Sequence, residues 1–332
     1  MPPKRDPIEA ALIELARAPR LPSDEACEVV ANGLSSRHAA VVAAAAVLAH
    51  ELELRDLEPE LLDSYDRLAE DPETLDPVCA AMKEIVAALF EWGSLAPEVY
   101  LRGAGHVQFA GWDNQDVGAP LRGLAVQALV KVEHPEALTI ATDMLDDGLP
   151  PPPDRDDGLM ARVGAATALR ALASEASAHV LRLKVLSGDP SPAVLNEGFA
   201  AMLEYCPAWL EAVARFLVAA DDAIAITAAL AIAEARPPGA LEHLQRAWEE
   251  QRNPDVREAV LQATASLRSD EAVEFLVELV RGESMTAMRA MSALTLYAAS
   301  EAVVSQVRAA AKANKRPEVG AMFQSLFGQR VW

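Results

Sequence analysis

The sequence predicts an all-α fold, an α-solenoid in which antiparallel helix pairs stack in chain order into a superhelix. Three observations predict it. Hydrophobic residues make up 52% of the chain and aromatics only 5%; the apolar mass is mostly alanine, leucine and valine, which suits packed helices better than strands. Small apolar residues recur in one helical register at near-constant spacing. Prolines and capping side chains fall where a helical hairpin must turn.

The register is clearest at Val256, Val260, Ala263 and Leu267, which share one helix face. It reappears at Leu121, Ala125, Ala128 and Val132, and at Ala161, Ala165, Ala168 and Leu172. Val194, Gly198, Ala201 and Tyr205 continue it, followed by Ile224, Ala228, Ala231 and Ala235, then Thr286, Ala290, Ala293 and Tyr297. The starts at 121, 161, 194, 224, 256 and 286 lie 40, 33, 30, 32 and 30 residues apart. Spacings near thirty fit two short helices and their turns, and the longest carries an extra loop at 148–157.

First helices are predicted to open at Asn253-Pro254 and Ser191-Pro192, a capping side chain before a proline at the first helical position. Asp76-Pro77 is predicted to do the same. Second helices are predicted from His134-Pro135-Glu136, Pro207-Ala208-Trp209, Pro238-Gly239-Ala240 and Ser269-Asp270. Towards the N-terminus, pairs over Ser36–Asp71 and Leu75–Ala104 follow from amphipathicity. The stretch 317–327 places Val319, Met322, Phe323, Leu326 and Phe327 on one side and is expected to cap the stack. Phe323, Phe327 and Trp332 could alternatively form a dimer contact. These readings divide the chain into degenerate helical repeats over 1–104, an irregular loop at 105–116, repeats over 117–313 and a capping helix over 314–332.

Val256-Arg257-Glu258-Ala259 with Asp270-Glu271-Ala272-Val273, Arg162-Val163-Gly164-Ala165-Ala166 with Ala168-Leu169, and Leu121-Arg122-Gly123-Leu124-Ala125 with Pro135-Glu136-Ala137-Leu138 resemble HEAT-like repeats. The resemblance is strongest to the bacterial short-repeat type related to phycobilin lyases, and it covers about 117–313. Asp-x-x-Val-Arg is approached only at 253–257, and Leu195 and Ala225 stand where other copies carry arginine. The resemblance implies a superhelix of about eight or nine helical hairpins, first helices convex and second helices concave. It implies little about activity, because one fold hosts many functions.

Charge narrows the function. The chain carries 50 acidic and 29 basic side chains, a formal net charge of −21. Polyanion binding needs clustered Lys and Arg to displace counterions, so neither nucleic acid nor an anionic membrane is an expected partner. Residues 51–76 hold eleven acidic groups against Arg55 and Arg67, and the balance reverses after Val303. Cys27, Cys79 and Cys206 are scattered, which suggests reduced, packed thiols and, with an N-terminus unlike a secretory signal, a cytoplasmic setting.

Catalytic motifs are missing: there is no GxSxG, no P-loop and no dinucleotide fingerprint. His50-Glu51 is a lone pair, whereas the HEAT-like deoxyhypusine hydroxylases use several such pairs to hold two irons. DNA glycosylases of HEAT-like type require a basic concave face, which this composition does not offer. No cofactor, metal or catalytic residue is predicted.

Two segments interrupt the helical pattern. Gly103 to Val117 contains the most site-like stretch, Gly111-Trp112-Asp113-Asn114-Gln115-Asp116. Trp112 either plugs a gap in an irregular repeat, which is the expected reading, or stands exposed as a binding hot spot. Gly148 to Asp157 contains Pro150–Pro153, a stiff spacer or polyproline ligand, ringed by Asp146, Asp147, Asp154, Asp156 and Asp157. Those aspartates bind a cation or keep the loop solvated. Trp112, Asp113, Asn114, Asp116, Asp154 and Asp156 are the candidate interaction residues.

The function expected is a non-enzymatic protein-interaction scaffold or adaptor with an acidic concave surface, its partner a protein with a basic or mixed surface. The alternatives are a lyase-like or chaperone-like repeat protein acting on a cofactor or substrate protein, and an acidic nucleic-acid mimic. Nothing in the sequence sets the oligomeric state.

Overall fold

A computed structural model describes residues 7–148 and 155–328. These residues form twenty α-helices and one two-stranded antiparallel ribbon, the all-α, repeat-stacked solenoid that the register predicts. They divide into two packed units, Met1–Ser177 and Ala178–Trp332. No described helix is long and apolar enough to cross a membrane.

The first unit contains α1 (Pro7–Leu15), α2 (Ser23–Leu34), α3 (Ala39–Glu51), α4 (Glu58–Glu70), the single turn α5 (Pro72–Leu75), α6 (Ala80–Trp92) and α7 (Pro97–Ala104). The strands β1 (Phe109–Ala110) and β2 (Gln115–Asp116) follow, then α8 (Ala119–Lys131), α9 (Ala137–Met144) and α10 (Leu159–Leu172). α3, α6, α8 and α10 pack side by side in chain order, with α4, α7 and α9 against them. Alanine makes this spacing possible. Ala45, Ala46 and Ala49 of α3, Ala125 of α8, and Ala161, Ala165 and Ala168 of α10 are fully buried, and their short side chains let neighbouring backbones approach. Between α8 and α10 the backbones come so close that a Cβ on Gly164 would meet the Gly123 carbonyl oxygen at 2.2 Å.

α11 (Glu175–Ser187) runs across the division. The second unit continues with α12 (Pro192–Tyr205), α13 (Leu210–Ala214), α14 (Asp222–Ala235), α15 (Ala240–Glu250), α16 (Pro254–Ser266), α17 (Asp270–Val280), α18 (Ser284–Leu294), α19 (Glu301–Ala313) and α20 (Pro317–Phe327). α12, α14, α16, α18 and α20 pack in succession over one apolar cluster running from Val185 to Phe327. All six register starts fall within α8, α10, α12, α14, α16 and α18. Val319, Phe323 and Phe327 of α20 are buried against that cluster, so the two phenylalanines pack inward; Trp332 lies outside the described residues.

Caps follow the prediction at two of three sites. The Ser191 and Asn253 side chains accept from the Ala193 and Asp255 amides at 3.2 and 2.8 Å. Asp76-Pro77 does not open a helix at the proline. α6 begins only at Ala80, after Cys79 adopts a left-handed backbone with φ 55°. The buried Asp76 carboxylate still serves that terminus, accepting from Ala80 and Met82 amides at 3.0 and 2.9 Å.

Candidate functional site

The segment predicted to be irregular from Gly103 is helical to Ala104, the end of α7, and then carries a short β-hairpin over 109–116. Phe109 pairs with Asp116 and Ala110 with Gln115, leaving Gly111-Trp112-Asp113-Asn114 as the tip. Gly111 and Asn114 take φ of 79° and 56°, values that glycine and asparagine tolerate best, and the Asn114 amide donates to the Gly111 carbonyl at 3.3 Å. At the foot, buried Gln108 donates through Nε2 to the Asp76 carbonyl at 2.9 Å, and its own carbonyl accepts from the Val117 amide at 2.9 Å.

Trp112 does not fold inward. Its side chain is 99% exposed, and Val107 and Phe109 on the same hairpin are more than half exposed. The reading of Trp112 as a plug is therefore overturned. The four-residue tip carries the indole beyond the reach of any neighbouring helix.

Buried charge fixes the hairpin to the helices. Arg122, in the first turn of α8, is only 4% exposed. Its Nη2 donates to Asp116 at 2.6 Å, its Nε to Asp147 at 2.7 Å and its Nη1 to the His106 carbonyl at 3.0 Å. Burial alone would lower its pKa, but the hydrogen bonds it donates to Asp116 and Asp147 hold it above the ordinary arginine value. Arg162, wholly buried at the equivalent place in α10, binds both oxygens of Asp156 and donates to the Asp147 carbonyl at 2.9 Å. Arg155 ties the two irregular segments together. It donates to the Asp113 carbonyl at 2.5 Å and pairs with Asp157 at 2.9 Å.

The structure thus separates the candidate residues. Trp112, Asp113 and Asn114 lie together at the exposed tip. The carboxylates of Asp116 and Asp156 are engaged by Arg122 and Arg162, as Asp147 is by Arg122. Asp154 and the Pro150–Pro153 run lie outside the described residues. The arginines were not singled out from the sequence, although a signal existed. Asp116…Arg122 and Asp156…Arg162 repeat an Asp-x-Gly-x-x-x-Arg pattern forty residues apart. A six-residue separation is not a helix-face spacing, so amphipathic analysis passes over it.

A shallow groove of about 390 Å³ opens beside the foot of the hairpin. Val107, Ile140 and Met144 give it an apolar side, and Asp143, Asp146 and Asp147 an acidic one. In the second unit, by contrast, the exposed Tyr205 ring packs 5.7 Å from Trp209, whose face also carries Arg182 at 5.1 Å. Those aromatics are occupied with one another. Among the described residues, no three His, Cys, Asp or Glu side chains are grouped to hold a metal ion.

Residues 206–297 match the family model of HEAT repeats. No curated protein matches the chain. Among solved structures, Kap121p bound to Ste12p is similar with a TM-score of 0.48 and 12% identity, over 97% of this chain and 40% of that one. Kap121p bound to Nup53p gives 0.43 and 13%, over 96% and 43%. The chain therefore spans less than half of the Kap121p chains it matches. The CpcE–CpcF complex of phycocyanin lyase from Nostoc sp. PCC7120 gives 0.36 and 16%, over 90% of this chain and 94% of that one.

Proposed function

From a chain whose residues 206–297 are HEAT repeats, we propose a non-enzymatic protein-interaction scaffold that engages a basic segment of a partner protein through the Trp112 hairpin and the groove at its foot. The observation that carries this reading is the 99% exposure of Trp112 on a hairpin braced from below. A solvated indole adds nothing to folding, because its apolar area stays in water. Presented on a braced backbone, it is a binding anchor for which the ordering cost of the loop is already met.

The groove supports the choice of partner. Asp143 and Asp146 line it beside Val107, Ile140 and Met144, which suits a lysine or arginine with its alkyl stem on the apolar side. The net charge of −21 favours approach of a basic surface and makes the encounter sensitive to salt.

The test is affinity purification with the intact protein and with Trp112→Ala as parallel baits, at low and raised salt. Recovery of a partner with a basic segment is expected, weakened at least about thirtyfold by the substitution, the scale of a hot-spot tryptophan, and weakened by salt. Binding that ignores Trp112→Ala, or salt-insensitive capture of an acidic protein, would sink the reading.

A further inference from the structure

The position that follows each register start is occupied by Arg122 and Arg162 in the first unit and by Leu195, Ala225, Arg257 and Ala287 in the second. In the first unit each arginine meets an aspartate six residues earlier. At Leu195 the aspartate persists as Asp189 and Lys184 supplies the cation, at 3.2 Å. At Ala225 the charge is gone. Arg257 inverts the case: the cation remains, but Gln251 stands in the aspartate's place and donates to the Leu217 carbonyl at 2.7 Å.

Arg257 is held by stacking instead. Its guanidinium carbon lies 3.7 Å from the centroid of the buried Trp248 ring. Among the described residues its side chain has no hydrogen-bond or ion-pair partner, and its Nε is shielded from solvent without a protein acceptor. The indole thus fixes the plane of the cation while leaving its donors uncommitted. Burial, then the like charges of Arg289 and Arg252, push its pKa down, and no carboxylate offsets them. Arg289 sits on α18, which packs on α16, and Arg252 precedes the α16 cap, its side chain donating to the Glu249 carbonyl at 3.0 Å. Three mutually repelling arginines are out of place in a chain with 50 acidic side chains to choose from.

We propose that Arg257, stacked on Trp248 and flanked by Arg289 and Arg252, is a binding site for the carboxylate of an acidic segment of a partner protein. Guanidinium and carboxylate match as planar forks, and a stacked guanidinium loses little freedom on binding. The charge of the chain decides between anions. A net −21 opposes every negative ligand, and more strongly a dianionic phosphate or a nucleic acid than a single carboxylate. The site lies in the second unit and uses none of the residues of the Trp112 hairpin.

The experiment is fluorescence anisotropy of the intact protein with three fluorescein-labelled Gly/Ser peptides of one length, carrying glutamate, glutamine or phosphoserine at the same two positions. A short duplex DNA serves as a fourth probe. The glutamate peptide is expected to bind at least tenfold more tightly than the glutamine peptide, and to weaken about tenfold with Arg257→Gln. Arg289→Gln, which removes no protein hydrogen bond, is expected to weaken binding about threefold with the helical content and melting curve unchanged. That variant keeps the test valid if Arg257→Gln loosens the fold. No binding of the glutamate peptide, equal binding of the glutamine peptide, indifference to Arg289→Gln, or preference for phosphoserine or DNA would each overturn the proposal.

Discussion

Arg155 reaches the backbone of Asp113 across 42 residues of sequence, donating to its carbonyl at 2.5 Å while pairing with Asp157 at 2.9 Å. One side chain thereby joins the hairpin tip to the segment after the proline run. Arg155→Ala is expected to change the melting temperature little, since partly exposed pairs contribute roughly 0–1 kcal/mol. Amide exchange over 109–116 should nevertheless rise several-fold. Unchanged exchange would mean the hairpin holds itself.

Arg122 and Asp116 form a buried pair whose two members are not equally dispensable, because Arg122 has a second carboxylate in Asp147. Arg122→Met leaves the buried Asp116 carboxylate without its cation and is expected to cost about 3–5 kcal/mol, whereas Asp116→Ala leaves Arg122 still paired with Asp147 at 2.7 Å and is expected to cost less. Asp116→Ala with Arg122→Met together should cost clearly less than the sum of the two. Urea unfolding of the four proteins in the cycle measures the difference, and simple additivity would contradict the pairing.

Gly164 and Gly320 predict opposite outcomes for one substitution. A Cβ on Gly164 would meet the Gly123 carbonyl oxygen at 2.2 Å, so Gly164→Ala must drive α8 and α10 apart. The expected loss is at least about 1–3 kcal/mol. At Gly320 of α20 a Cβ meets nothing within 4 Å, so Gly320→Ala should stabilise by roughly 0.5–1 kcal/mol through helix propensity. Thermal melts of the two variants should move in opposite directions.

Alkaline pH should unlock the first unit. Burial pushes the Cys79 thiol from 9.0 up to about 12, and the Tyr65 and Tyr100 phenols from 10.0 up to about 12. A raised folded pKa means that the contribution is complete below the unfolded value, here below pH 9. It is lost as the pH climbs from there towards 12, because the unfolded chain sheds protons that the fold retains. Stability should be level to about pH 9 and then fall, less steeply in Cys79→Ala. In the folded protein Cys79 should resist thiol reagents at pH 8, while in denaturant it reacts like an ordinary cysteine.

Much of the architecture could be read from residue order, because helix formation and breaking are local. Ala161, Ala165 and Ala168 share a face wherever their helix sits, and Asn253-Pro254 caps whatever follows it. The Asp76-Pro77 start was misplaced because Cys79 takes a left-handed turn that no residue type announced. The candidate site was half visible. Its irregular composition marked Gly103 to Val117, but the exposure of Trp112 depends on which helices stand nearby. The commitment of Asp116 and Asp156 depends on arginines six residues away that are brought round by a turn. Composition and periodicity act over a few residues and so determined the helices and their stacking order. Burial and ion pairing act through space, so only the tertiary structure decided which aspartates are spent on the fold, and that the tryptophan is left in solvent.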